Sequence, residues 1–164
     1  MIQFLNIYEK PAYFEQALLL YEKSIKFLDD DYALDGCSLG GYFKKLISNT
    51  LFYVIVQDSK VCGFVYLDNI VGDSKNLHSA EITACIDRTY WGVFPKICAV
   101  LFLSFCFENL GFKKIKALVY PENYRVKTLL KFAGFEFEAL LKGETMRNNK
   151  LQDIEVYSCR KAEK

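Results

Sequence analysis

The residues with the most chemical potential lie between Ala80 and Lys96. Ala80-Glu81-Ile82-Thr83-Ala84-Cys85-Ile86 reads as a strand, and Trp91-Gly92-Val93-Phe94-Pro95-Lys96 as a turn that runs into an apolar helix. A helix start presents N–H donors with no intrahelical partner together with the positive end of the dipole, so a turn placed there suits an anion. Pro95 fits the opening helical position, where a missing N–H costs nothing, and Lys96 would add a cation suited to phosphate. Other chemistries find little support. His78 is the only histidine, and no serine or cysteine stands at a recognisable elbow, so there is no triad to assemble. The six cysteines, Cys37, Cys62, Cys85, Cys98, Cys106 and Cys159, contain no C-x-x-C pair and fall mostly in apolar runs, where a thiol behaves as a small hydrophobe. That spacing speaks against a zinc site or a disulfide framework. Asp29-Asp30-Asp31 opposes the dipole of the helix before it and reads as the start of a solvated loop. A metal site there is the alternative, without an evident partner set.

Stepping outward, hydropathy sets the elements that would position this stretch. Alternation in Met1 to Tyr8 predicts a first strand rather than a leader peptide. Pro11 opens a helix whose apolar residues recur through Phe14, Ala17, Leu18, Tyr21, Ile25 and Leu28. Asp35-Gly36 and Gly40-Gly41 punctuate a loop, and Tyr42 to Ser48 is a short helix. Leu51–Val56 and Val61–Leu67 are strands joined across Gln57-Asp58-Ser59-Lys60. The loop Gly72-Asp73-Ser74-Lys75 leads to a strand over Leu77–Ile86, completing an antiparallel meander. A helix over Pro95–Glu108 stops at Asn109-Leu110-Gly111, where the glycine takes the left-handed cap. Then come a strand over Lys116–Tyr120, a helix over Asn123–Ala133, and a strand from Gly134 through Leu140. Asn148-Asn149 forms a hairpin turn before the last strand, Gln152–Cys159.

The 164 residues fit one domain, with 52% hydrophobic and 16% aromatic residues enough to bury a continuous core. With 21 basic against 20 acidic residues, no long-range field gathers the chain onto nucleic acid or an anionic membrane. The apolar run Ile97–Phe107 falls far short of the roughly 20 residues a spanning helix needs. A reducing, cytoplasmic setting follows from the cysteine usage.

Ala80-Glu81-Ile82, Trp91-Gly92, Phe107-Glu108-Asn109-Leu110-Gly111, Pro121-Glu122-Asn123, Gly134-Phe135, Asn149-Lys150, Asp153 and Tyr157-Ser158 occur in the order and spacing of the GNAT N-acetyltransferases. The chain resembles the RimJ/RimL-like branch, or a bacteriophage-type relative, with a degenerate pyrophosphate loop. The resemblance implies a single α/β (α+β) domain over residues 1–164. Its sheet would be mixed, mostly antiparallel and of about six to seven strands, with a splayed pair of fourth and fifth strands and about four flanking helices. It also implies acetyl-CoA as co-substrate. In the family the pantetheine arm pairs with the exposed edge of the fourth strand as an added strand would, here the backbone of Ala84, Cys85 and Ile86. The family loop is Gln or Arg, two residues, Gly, one residue, Gly or Ala. Trp91 takes its first place, Gly92 follows, Val93 is unconstrained, and Phe94 and Lys96 stand where small residues are expected.

The resemblance further implies direct attack of a neutral amine on the thioester, needing a base, an oxyanion donor and an acid. Glu81 is the candidate base, its bland reading being an ordinary strand carboxylate; the backbone at Cys85 or Ile86 would donate to the oxyanion. Leu130 occupies the place often held by the acid tyrosine, leaving Tyr124, or Tyr120, as substitute. Asn123 would bond the pantetheine or simply cap its helix. Two functions therefore stand side by side: an acyl-CoA-dependent N-acyltransferase acting on an amine of a protein or small molecule, and an inactive GNAT-fold binding module, with Phe94 plugging the site. An unrelated α/β domain is a third. The amine acceptor and the oligomeric state have no readable motif.

Overall fold

The structure is a computed structural model that describes residues 1–34, 36–73 and 75–162. Its strands are β1 (Ile2–Asn6), β2 (Leu51–Gln57), β3 (Lys60–Gly72), β4 (Leu77–Ile86), β5 (Lys114–Val119), β6 (Glu136–Arg147) and β7 (Lys150–Arg160). Four α-helices are described: α1 (Phe14–Leu28), α2 (Leu39–Asn49), α3 (Phe94–Ser104) and α4 (Tyr124–Phe132). The strands form one mixed seven-stranded sheet in the order β1-β2-β3-β4-β5-β7-β6. β1 and β3 each pair antiparallel with β2, β5 pairs antiparallel with β7, and β4 pairs parallel with β5. The β4–β5 ladder holds three residue pairs, Ser79 with Lys114, Ala80 with Ile115 and Glu81 with Lys116. β4 itself continues five residues beyond it, to Ile86.

Contacts divide the chain into two compact units. The first comprises Met1–Asp68, Thr83–Trp91 and Met146–Lys150. Its core is aromatic: Phe43 meets Phe52 edge-on at 5.5 Å, and Phe52 stacks on Phe64 at 5.3 Å, offset and edge geometries that add to plain area burial. Tyr21 is also buried there, and its hydroxyl donates to the Asp29 carboxylate. Asp31 accepts from the backbone N–H of Asn148 at 2.9 Å and of Asn149 at 2.8 Å. Both asparagines have positive φ, as a two-residue hairpin turn requires. The acidic run thus ties α1 and that turn together, and among the described residues no metal-ligating cluster occurs. The second unit comprises Asn69–Ile82, Gly92–Thr145 and Leu151–Lys164. Phe102, Leu103, Cys106, Phe112, Ile115, Leu130, Phe135 and Tyr157 are buried in it.

Several boundaries depart from the pattern-based expectation. Gly40 and Gly41 belong to the first turn of α2, because Ser38 caps that helix, its Oγ accepting from the Gly41 N–H at 3.2 Å. The predicted helix to Glu108 changes character after Ser104. Phe105–Asn109 is a π-helical turn closed by Leu110 N–H to the Phe105 carbonyl at 3.1 Å, and Gly111 follows at φ +83°. β3 runs to Gly72 and β6 to Arg147, well past the apolar stretches at Leu67 and Leu140, since exposed ladder positions tolerate polar residues. Asp35 and Ser74, placed in turns by their neighbours, lie outside the described residues.

Candidate active site

On the second unit, Glu81 projects from β4, half-buried. Lys116 Nζ donates to its Oε1 at 2.8 Å, and Asn69 Nδ2 to its Oε2 at 2.7 Å. Lys116 is there because the parallel register sets it beside Glu81, and Asn69 has positive φ (44°) within β3. Both carboxylate oxygens are therefore fixed in direction by donors, which a bare strand carboxylate would lack. These two partners are remote in sequence, and no local signal announced them.

The turn into α3 follows. Gly92 has φ +120°, open to glycine and strained for any other residue, while no atom lies within 4 Å of where a Cβ would stand. Val93 is exposed, and its carbonyl accepts from Lys96 N–H at 3.0 Å and Ile97 N–H at 3.2 Å. Phe94 begins the helix and Pro95 lies in its first turn, as expected for a residue without an N–H. The Lys96 side chain is half-buried, and its ammonium rests 5.0 Å from the Phe132 ring centroid. Among the described residues no carboxylate pairs with it. A cation in the first turn of a helix opposes the macrodipole, so this arrangement gains stability from an anion.

At α4, Asn123 Oδ1 accepts from Val126 N–H at 3.2 Å, the N-cap geometry. Tyr124 is 73% exposed, with Lys127 Nζ 4.7 Å from its ring centroid. Leu130 is buried. Glu81 and Tyr124 are thus held by separate partners.

On the first unit, the end of β4 approaches β3 closely at Gly63. A Cβ there would stand 2.5 Å from the Cys85 carbonyl oxygen and 3.2 Å from Ile86 Cα, so this position needs glycine for space. Ala84 is exposed, and Cys85 and Ile86 are half-buried. Burial raises the Cys85 thiol pKa above its ordinary value, with a Ser24 hydrogen bond acting the other way, so the thiol is a poor nucleophile at neutral pH. The Ile86 carbonyl accepts from the Trp91 indole N–H at 3.0 Å, closing the turn between them. Sequence reading brought these two residues near each other but did not foresee the bond. Nor did it single out Arg88, whose guanidinium carbon lies 5.3 Å from the ring centroids of both Phe27 and Trp91.

The profile described as "Acetyltransferase (GNAT) domain" matches residues 30–136. The chain belongs to the GNAT acetyltransferase family. A curated relative, the "Uncharacterized N-acetyltransferase p20" of Bacillus licheniformis, is 29% identical over 117 residues, which is 68% of this GNAT chain and 62% of the relative. The match therefore spans less than two thirds of that protein's length. The ribosomal-protein-alanine N-acetyltransferase of Brucella melitensis superposes with a TM-score of 0.76 at 14% identity, covering 98% of this chain and 99% of that one. Mycobacterium smegmatis RimJ in complex with CoA-disulfide superposes with a TM-score of 0.75 at 18% identity, covering 97% and 80%. At these identities the superpositions establish a shared fold, with RimJ/RimL-type enzymes among the structural neighbours. Among the described residues, no helix of this GNAT chain is long and apolar enough to cross a membrane.

Proposed function

We propose that the chain is an acyl-CoA-dependent N-acyltransferase that moves acetyl from acetyl-CoA to a primary amine of a protein or small molecule by direct attack. The observation that carries this reading is Lys96: a half-buried lysine in the first turn of α3, where the helix dipole is also positive, with no carboxylate paired to it among the described residues. That pairing of like charges calls for an anion, and the cofactor's diphosphate is one. Residues assigned to hold the cofactor are the Ala84, Cys85 and Ile86 backbone, the Trp91, Gly92, Val93, Phe94 and Lys96 stretch, and Asn123.

Acetyl-CoA supplies an activated acyl carbonyl with a thiolate leaving group. Glu81, held in direction by Lys116 and Asn69, takes a proton from the acceptor's ammonium, directly or through one water, leaving the neutral amine that attacks. The C–N bond forms first, with backbone N–H at Cys85 or Ile86 donating to the oxyanion; the nitrogen then loses its second proton to solvent as the oxyanion collapses, the C–S bond breaks, and Tyr124 protonates the departing sulfur and regains its proton from solvent. Direct attack is favoured over an acyl-cysteine route because burial raises the Cys85 thiol pKa, which disfavours the thiolate nucleophile.

Release of free CoA from acetyl-CoA in the presence of a panel of primary amines, read with a thiol reagent, tests the reading. Turnover that Glu81→Gln reduces by about a hundredfold supports it, that being the usual scale for a general base. Leu130, buried at the position where the family commonly has its acid tyrosine, favours the second reading, a GNAT-fold binding module without turnover. Tight CoA binding with no CoA release on any amine would select that alternative.

A further inference from the structure

Positive φ outside glycine is uncommon and usually falls where a turn demands it. Among the described residues, five other than glycine show it. Asp58 and Ser59 form the turn between β2 and β3, and Asn148 and Asn149 the turn between β6 and β7, where two successive positive values are what a tight hairpin requires. Asn69 is the fifth, and it lies inside a strand, toward the end of β3, with φ +44°. Regular strand backbone keeps φ near about −120 to −140°, and no reversal of the chain occurs here. The side chain is exposed, so its own burial does not explain the distortion.

What the residue does in that conformation is donate. Its Nδ2 lies 2.7 Å from Glu81 Oε2, while Lys116 Nζ lies 2.8 Å from Glu81 Oε1. Because β4 stands between β3 and β5 in the sheet, the two oxygens of one carboxylate are held from the strand on either side. An ion pair with Lys116 alone would leave the carboxylate free to turn about that contact. The second donor stops the rotation, and the lone pairs left over, out of about four on a carboxylate, then point in fixed directions. An amide is also a neutral donor: it aims Oε2 without the repulsion a second ammonium would exert on an incoming cationic amine. Strained backbone persists only where its surroundings over-determine it, and it gathers at functional sites.

We propose that Asn69 is a positioning residue for the Glu81 base, its left-handed backbone within β3 serving to aim the amide at Oε2. The inference rests on the N-acyltransferase reading above, with Glu81 accepting the proton. Asparagine suits the place twice over, since it tolerates positive φ better than most residues and carries the short amide donor. Glycine would meet the first requirement alone, and alanine neither.

That difference supplies the test, read as CoA release at saturating amine with the full chain. Asn69→Gly accommodates the backbone and is expected to fold and melt like wild type, yet to lower kcat about tenfold with KM for acetyl-CoA unchanged, the scale of one charge-assisted bond that orients a base. Asn69→Ala is expected to lose the same factor in kcat and to melt lower; the glycine variant carries the readout if alanine folds poorly. In a Glu81→Gln background, where no base remains to be aimed, Asn69→Gly is expected to lower kcat no further. An Asn69→Gly enzyme with wild-type kcat, while Glu81→Gln alone loses about a hundredfold, overturns this inference and leaves the acyltransferase reading standing. So does a tenfold loss that recurs undiminished in the Glu81→Gln background, which would make Asn69 a purely structural residue. Unchanged turnover in Glu81→Gln, or a wild-type chain that releases no CoA on any amine, overturns the reading itself, and the inference with it.

Discussion

Reversing the charge at position 96 separates binding from folding. In the free protein, Lys96→Glu gives up the ammonium packing on Phe132, about 0.5–1 kcal/mol. It gains about 0.3–1 kcal/mol from placing an anion at a helix N-terminus. The two nearly cancel, so the ligand-free melting temperature should stay within about 2 °C, given about 2–4 °C per kcal/mol for a chain of this size. Binding behaves differently. Loss of one charge-assisted phosphate contact costs about 1.5–3 kcal/mol, and repulsion from the new carboxylate adds to it, so Kd should rise by about a hundredfold or more. At coenzyme A near 100 times the wild-type Kd, ligand linkage stabilises the wild type by about 2.7 kcal/mol, a shift of roughly 5–11 °C. The variant, at the same concentration, then sits near its own Kd and gains only about 0.4 kcal/mol, or about 1–2 °C. Differential scanning calorimetry with and without ligand reads both numbers. A Lys96→Glu protein that keeps the full ligand-induced shift would refute the role given to this ammonium.

Other perturbations reach different parts of the structure. Asp31→Ala removes the acceptor for the Asn148 and Asn149 N–H groups, two exposed bonds together contributing about 1–2 kcal/mol. A fall in melting temperature of a few degrees is expected, and an unchanged value would mean water replaces the carboxylate without loss. Gly63→Ala pushes a methyl against the Cys85 carbonyl and should cost about 1–3 kcal/mol as overpacking while weakening coenzyme A binding. Unimpaired binding would separate the end of β4 from the cofactor. Burial raises the Asp29 carboxyl pKa above its ordinary 3.8, so just above that pH the folded chain retains a proton the unfolded chain has lost. Its contribution to stability is therefore lost as pH rises through the folded-state pKa. Wild-type stability minus that of Asp29→Asn should fall with rising pH in urea titrations and then level off; a difference that grew with pH would reverse the assignment.

Much of the architecture is legible in short-range pattern, because periodicity and capping are local. The apolar spacing from Phe14 to Leu28 delimits α1, and Leu77–Ile86 delimits β4 residue for residue. Asn148-Asn149 announces its turn by backbone preference alone. Where pattern misleads, a neighbour decides: Ser38 captures Gly40 and Gly41 into α2, and the ladders carry β3 and β6 through polar residues. The candidate site is less legible. The types and order of residues from Glu81 to Lys96 are visible in the chain, but their partners are not. Lys116 reaches Glu81 across 35 positions, and Phe27 meets Arg88 from another helix. Such pairings depend on register and tertiary packing, and no local window of sequence encodes them.

The bond between Trp91 and the Ile86 carbonyl has a practical corollary. Trp91 is the only tryptophan in the chain and is about half-exposed. Excitation at the red edge of indole absorption therefore interrogates this one turn, without background from the eleven tyrosines. A solute that settles against the ring, or breaks its N–H bond, would change emission colour or intensity directly, so the molecule carries its own optical gauge at the place where cofactor is proposed to arrive.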